Sequence, residues 1–122
     1  MSDNEKTILV VEDERALADA LKVKLEREGL KVVAVNDGEE AKRLLETDGF
    51  GLVLTDLMMP KFSGFDLLEL LQKKGDKTPV VVLSNLSQTA DIDRVKKLGG
   101  VDYLVKSDVS LAEVVERVKK LI

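Results

Sequence analysis

"ILVVEDERALADALKVKLEREGLKVVAV", Ile8 to Val35, contains one strand, one helix and a second strand in succession. Ile8–Val11 is apolar at four consecutive positions, the pattern of a strand buried on both faces rather than on one. Leu17, Leu21 and Leu25 then fall four apart on one helical face, and Gly29 closes the helix as a C-terminal cap. Val32–Val35 returns to the buried-strand pattern.

The same alternation continues along the chain. Further short apolar runs stand at Leu52–Leu54, Val80–Leu83 and Val101–Val105, each bounded by turn formers. Asp37 with Glu40 opens a second helix as a capping box, with Ala41, Leu44 and Leu45 on its buried side. Leu67, Leu68 and Leu71 mark a third, ending near Gly75. The fourth spans roughly Thr89 to Leu98, has Ile92, Val95 and Leu98 as its apolar edge, and ends at Gly99-Gly100. In the fifth, Ser110 and Glu113 form a capping box ahead of a stripe of Leu111, Val114, Val115, Val118 and Ile122. Five βα repeats imply an α/β fold: a five-stranded parallel sheet with helices on both faces and right-handed crossovers. With the first strand central, the order is 2-1-3-4-5, the flavodoxin-like doubly wound arrangement, and ligands bind at the carboxyl ends of strands one and three.

Composition narrows the function. The chain has 122 residues, 44% apolar and 34% charged, which suits a single soluble domain over residues 1–122. A net charge of −4 without a basic stripe argues against a direct nucleic-acid ligand. No apolar run approaches the length of a membrane span, and the polar start "MSDNEK" does not read as a signal peptide, so the expected location is cytoplasmic. Cysteine and histidine are both absent. Thiol catalysis, thiolate metal sites, histidine general bases and histidine metal ligands are therefore excluded.

Every strand end at the predicted crevice carries a polar group. The first strand ends in Glu12-Asp13, the third in Asp56, the fourth in Ser84 and the fifth in Lys106. Met59-Pro60 imposes an extended turn after Asp56, and Gly64 lets that loop enter the third helix. Three carboxylates brought together without a cation repel, so each must either shift its pKa upward or share a metal. Oxygen-only donors favour a hard ion, Mg²⁺ above others, which keeps waters and accepts a phosphate. Lys106 and Ser84 opposite such an ion complete a cradle for a phosphoryl group. Asp56, beside the acidic pair and facing Lys106, is the candidate nucleophile for an acyl phosphate, with Glu12 and Asp13 as metal ligands. Without histidine in the chain, the phosphodonor comes from outside. Taken singly, Asp56 reads as a turn residue, Glu12-Asp13 as a solvated helix N-terminus, Ser84 as a cap hydroxyl, Lys106 as a surface lysine and Tyr103 as half-buried packing. Their convergence on one end of the sheet, in strand order, is what favours the functional reading.

These residues resemble the receiver domains of bacterial two-component response regulators. The resemblance is carried by "ILVVEDE" (Ile8–Glu14), "LVLTDLMMPKFSG" (Leu52–Gly64), "VVVLSNLS" (Val80–Ser87) and "GGVDYLVK" (Gly99–Lys106), and covers essentially the whole chain. It implies that Asp56 accepts a phosphoryl group from a sensor histidine kinase or a histidine phosphotransfer protein. It also implies Mg²⁺ held by Glu12, Asp13, Asp56 and the Met58 backbone carbonyl, Lys106 paired with the phosphate, and Ser84 and Tyr103 acting as the switch. The module then phosphorylates and slowly dephosphorylates itself rather than turning over a separate substrate. Two positions depart from the family: Ser107 replaces the usual proline after the lysine, so a trans Lys106-Ser107 peptide is expected, and Asn85 replaces a small residue beside the donor's path. No output domain is expected beyond the fifth helix, so the expectation is a stand-alone regulator of the chemotaxis type or a receiver taken from a longer protein. The resemblance places output binding or phosphorylation-dependent dimerisation on the fourth helix, fifth strand and fifth helix. Arg94, Lys97, Asp102, Asp108 and Arg117 give that face mixed charge, which permits both.

Three other functions fit less well. An FMN carrier needs a phosphate loop after the first strand, where "EDERA" would repel the anion. A metal-dependent phosphatase needs a further acid or amide to activate water. A vestigial receiver would not keep Glu12, Asp13, Asp56, Ser84 and Lys106 together.

Overall fold

The computed structural model describes residues 7–122, and the polar start "MSDNEK" lies outside them. Its elements alternate as the sequence predicts: β1 (Thr7–Val11), α1 (Arg15–Arg27), β2 (Lys31–Val35), α2 (Gly38–Thr47), β3 (Leu52–Thr55), α3 (Gly64–Lys74), β4 (Val80–Ser84), α4 (Thr89–Lys97), β5 (Asp102–Val105) and α5 (Leu111–Lys120), with a 3₁₀ turn at Lys106–Asp108. All strand pairs are parallel and the order is β2-β1-β3-β4-β5. The flavodoxin-like arrangement expected from the alternation is the one observed.

Continuous apolar runs follow from where the strands lie. Every residue of β1, β3 and β4 is buried, because successive side chains enter cores on opposite faces of the sheet. Leu9, Val11, Val53, Val80 and Val82 pack with Ala41 and Leu45 of α2, Leu67, Leu68 and Leu71 of α3, and Val95 of α4. Ile8, Val10, Leu52, Leu54, Val81 and Leu83 pack with Leu21 and Leu25 of α1 and with Val114, Val115 and Val118 of α5. The edge strands β2 and β5 are only partly covered, and their burial is interrupted.

Local signals account for most boundaries. Gly29 adopts φ +84° just past α1, as a glycine after a helix end allows. The α5 capping box forms between Ser110 and Glu113, and a second box, between Ser63 and Asp66, opens α3. At α2, Asp37 accepts a hydrogen bond from the Glu40 N–H at 2.7 Å, while the Glu40 carboxylate lies 4.0 Å from Arg43. Two expectations shift at the ends of elements. Val101 precedes β5 and is 52% exposed, since the chain is still leaving the Gly99-Gly100 turn there; Ile122, beyond the last turn of α5, is exposed rather than on its buried stripe. The Lys106-Ser107 peptide is trans, as expected.

Candidate functional site

Register brings the polar strand ends together. Val11 of β1 pairs with Thr55 of β3, so Glu12 and Asp56 emerge side by side; Ser84 of β4 pairs with Val105 of β5, which puts Lys106 one residue past that pair. The Asp56 N–H donates to the Val11 carbonyl at 3.1 Å and extends the ladder to the phosphoacceptor candidate. Gly64 is required here: a Cβ at that position would stand 2.3 Å from the Asp56 carbonyl oxygen, so a side chain would push α3 off the strand end.

One oxygen of each buried carboxylate is fixed by backbone and the other by Lys106. Asp56, 6% exposed, accepts at Oδ1 from the Leu57 N–H (2.7 Å) and the Met58 N–H (3.3 Å), and its Oδ2 lies 2.7 Å from Lys106 Nζ. Glu12, 2% exposed, accepts at Oε2 from the Glu14 N–H at 3.0 Å, and its Oε1 lies 2.8 Å from the same ammonium. Glu14 Oε1 is a third, outer partner at 3.4 Å. Asp13 is exposed, yet it offers a carboxylate oxygen within 4.8 Å of oxygens from Glu12 and Asp56.

The electrostatics follow from burial and from that one cation. Burial pushes the Glu12 pKa above its ordinary value, and the hydrogen bond from Lys106 only partly offsets it. Burial pulls Lys106 downward, but the hydrogen bonds to Asp56 and Glu12 outweigh it and the net shift is upward. The sequence leaves each of the three carboxylates either to shift its pKa upward or to share a metal; Glu12 does shift upward, and Lys106 supplies an internal cation besides. The sequence sets Lys106 opposite Asp56 and pairs it with a phosphate, and gives no sign that it also joins Glu12 and Glu14 in the absence of one. Rotamers of residues some fifty and ninety positions apart carry no signal along the chain.

The remaining site residues lie around this cluster. Ser84 is fully buried, and its Oγ accepts from the Leu86 N–H at 3.3 Å. The Tyr103 hydroxyl donates to the Leu86 carbonyl, so the segment after β4 is tied to both Ser84 and Tyr103. Burial, and secondarily the charges of Asp91 and Asp56, push the Tyr103 hydroxyl pKa up. Asn85 is exposed. The donor set fits a hard divalent cation: carboxylate oxygens from Glu12, Asp13 and Asp56 converge, and the chain has no cysteine or histidine to favour a softer metal. Chemically, the arrangement combines an oriented carboxylate, a cation-binding acidic pair, an ammonium and a buried hydroxyl at one end of a parallel sheet.

A model of the response regulator receiver domain family matches residues 8–119. The chain belongs to this family. The receiver domain is similar over 101 residues, at 44% identity, to the transcriptional regulatory protein CpxR of Escherichia coli K12, covering 81% of this chain and 42% of that protein. It is 37% identical over 122 residues to a probable transcriptional regulator, ycf27, of Cyanophora paradoxa, covering 100% of this chain and 50% of that one. The chain thus spans about half the length of the curated relatives it matches. Among solved structures, the receiver domain of Francisella response regulator 1452 superposes with a TM-score of 0.89 at 35% identity, covering 95% of each chain. The receiver domain of a histidine kinase from Syntrophus aciditrophicus gives 0.85 at 32% identity, covering 95% of this chain and 89% of that one. A receiver domain is a signalling module of two-component systems rather than a conventional enzyme. Among the described residues, no helix is long and apolar enough to cross a membrane.

Proposed function

We propose that residues 1–122 act as a single receiver domain that takes a phosphoryl group onto Asp56 in a Mg²⁺-dependent reaction, from the phosphohistidine of a sensor kinase or phosphotransfer protein. The observation that carries this reading is the joint presentation of Asp56, Glu12 and Asp13, with Lys106 Nζ 2.7 Å from Asp56 Oδ2.

The chain's own residues account for most of the chemistry. The Leu57 and Met58 N–H groups fix the plane of the Asp56 carboxylate through Oδ1. An Asp56 oxygen attacks phosphorus as the P–N bond to the donor imidazole breaks, which forms an acyl phosphate and releases the imidazole. Lys106, already in contact with Asp56, turns its charge to a phosphoryl oxygen, and the Ser84 hydroxyl donates to another. Glu12, Asp13, Asp56 and the Met58 carbonyl would hold Mg²⁺, which supplies charge neutralisation to the phosphoryl oxygens when bound. Ser84 and Tyr103 report the event, because recruiting Ser84 to the phosphate disturbs the Leu86 segment that both residues hold. Slow self-dephosphorylation resets the module in the cytoplasm.

The phosphorylated state acts on an output protein or domain, or on a second copy of the chain, through the face formed by α4, β5 and α5, with no direct contact to nucleic acid or membrane. Arg117 pairs with Asp102 at 2.7 Å on that face, while Arg94 turns toward Glu69 and stacks over Phe65. Intact mass after incubation with a small acyl-phosphate donor tests the proposal. One phosphoryl group added with Mg²⁺ and none in EDTA supports it; no addition under either condition overturns it.

A further inference from the structure

The chain has no cysteine, so its sulfur is confined to Met1, Met58 and Met59. Met1 lies outside the described residues. The other two are neighbours in opposite environments. Met59 is 8% exposed and part of the core beneath α2, α3 and α4, whereas Met58 is 62% exposed, the most of any large apolar side chain among the described residues. The Met58 backbone is tied to the phosphoacceptor candidate, since its N–H donates to Asp56 Oδ1 at 3.3 Å. Its side chain lines an open apolar groove of about 400 Å³ with Leu57, Met59, Pro60, Ser63 and Phe65. An unprotected thioether therefore stands two residues from Asp56, in a chain that offers peroxide no thiol.

We infer that Met58 is a redox-modification site: peroxide converts it to the sulfoxide, and this change shortens the life of the phosphorylated state. The second half rests on the reading of Asp56 as phosphoacceptor. In the step itself a sulfur lone pair attacks a peroxide oxygen, the O–O bond breaks as the S–O bond forms, and the departing hydroxide takes the proton of the oxygen now on sulfur and leaves as water. Sulfur loses two electrons and the peroxide gains them. A sulfoxide reductase drawing on a dithiol returns the thioether. The product replaces an apolar, weakly accepting sulfur with a strongly accepting, polar S=O group. The Met58 backbone is bonded to Asp56, so a sulfoxide on that residue adds a strong acceptor for water near an aspartyl phosphate where the thioether offers only a weak one, and positioned water is what hydrolysis requires.

The experiment uses the full chain treated with dilute hydrogen peroxide, mapped by peptide mass spectrometry, then phosphorylated with the acyl-phosphate donor and Mg²⁺ and followed by intact mass. Met58 should gain one oxygen well before Met59, and the oxidised protein should lose phosphate several-fold faster than the untreated one. Treatment with sulfoxide reductase should restore the original decay. In Met58→Leu, whatever its starting decay rate, peroxide should leave that rate unchanged. Equal oxidation of Met58 and Met59, or a Met58 sulfoxide that decays at the untreated rate, overturns the inference while leaving Asp56 as phosphoacceptor. Failure of the untreated protein to take up phosphate overturns the phosphoacceptor reading and the kinetic half of the inference with it.

Discussion

Lys106→Met removes the ammonium that Glu12 and Asp56 share. At an effective dielectric near 20, each contact of 2.7–2.8 Å corresponds to an attraction of about 6 kcal/mol before desolvation is subtracted. Without the lysine, carboxylate oxygens within 4.8 Å of one another repel by about 3.5 kcal/mol or more. The site has an escape that limits the damage. Burial already pushes Glu12 upward, so Glu12 takes a proton while Asp56 keeps its two backbone donors. Holding that proton at pH 7 against an ordinary value of 4.5 costs about 3.4 kcal/mol, and at pH 5 only about 0.7 kcal/mol. Lys106→Met should therefore be about 3 kcal/mol less stable than the parent at pH 7 in EDTA, roughly 10 °C in melting temperature for a chain of this size. The deficit should fall below about 1 kcal/mol at pH 5. Urea denaturation followed by circular dichroism at the two pH values measures it. A variant as stable as the parent at pH 7, or a deficit that does not shrink toward pH 5, would refute the role of Lys106 as the internal counter-ion of the apo site.

Asp13→Asn should stabilise the chain in EDTA by on the order of 1 kcal/mol and so raise its denaturation midpoint, because it removes one negative charge from the cluster, and should reduce the further gain given by Mg²⁺. A lowered midpoint in EDTA would mean that Asp13 does not feel the other carboxylates. The side chains of Met58 and Leu86, two residues beyond Asp56 and Ser84, offer a water no strong hydrogen bond, so the phosphorylated state should be long-lived; Met58→Asn and Leu86→Glu should each speed first-order phosphate loss in Mg²⁺ buffer several-fold. Decay no faster than the parent in both would show that apolar shielding there does not set the lifetime. Gly64→Ala should cost about 1–3 kcal/mol by overpacking against the Asp56 carbonyl and should slow phosphorylation through displacement of the Asp56 loop; unchanged urea midpoint and uptake rate would contradict the close approach.

The fold was legible because its determinants are local or periodic. Ile8–Val11, Leu52–Leu54 and Val80–Leu83 are apolar at every position because both faces of the central sheet are covered, and Ser110 with Glu113 announces α5 within four residues. The misplaced positions, Val101 and Ile122, sit at the ends of elements, where a turn or a terminal residue decides and apolar character alone does not. The Ser63–Asp66 box has the same three-residue spacing as Ser110 and Glu113 and is equally legible in the sequence. Site residues could be assembled from strand order, since a parallel sheet delivers every strand end to the same edge. The pairing of Lys106 with Glu12 and Glu14 could not be, because it depends on where a flexible side chain settles when no phosphate is present.

The central claim, that Asp56 is the phosphoacceptor, is tested most directly by intact mass of the parent and Asp56→Asn after identical exposure to an acyl-phosphate donor and Mg²⁺. The parent should gain one phosphoryl group and the variant none, with the variant's circular dichroism showing the parent's fold. A full phosphoryl adduct on Asp56→Asn would contradict it.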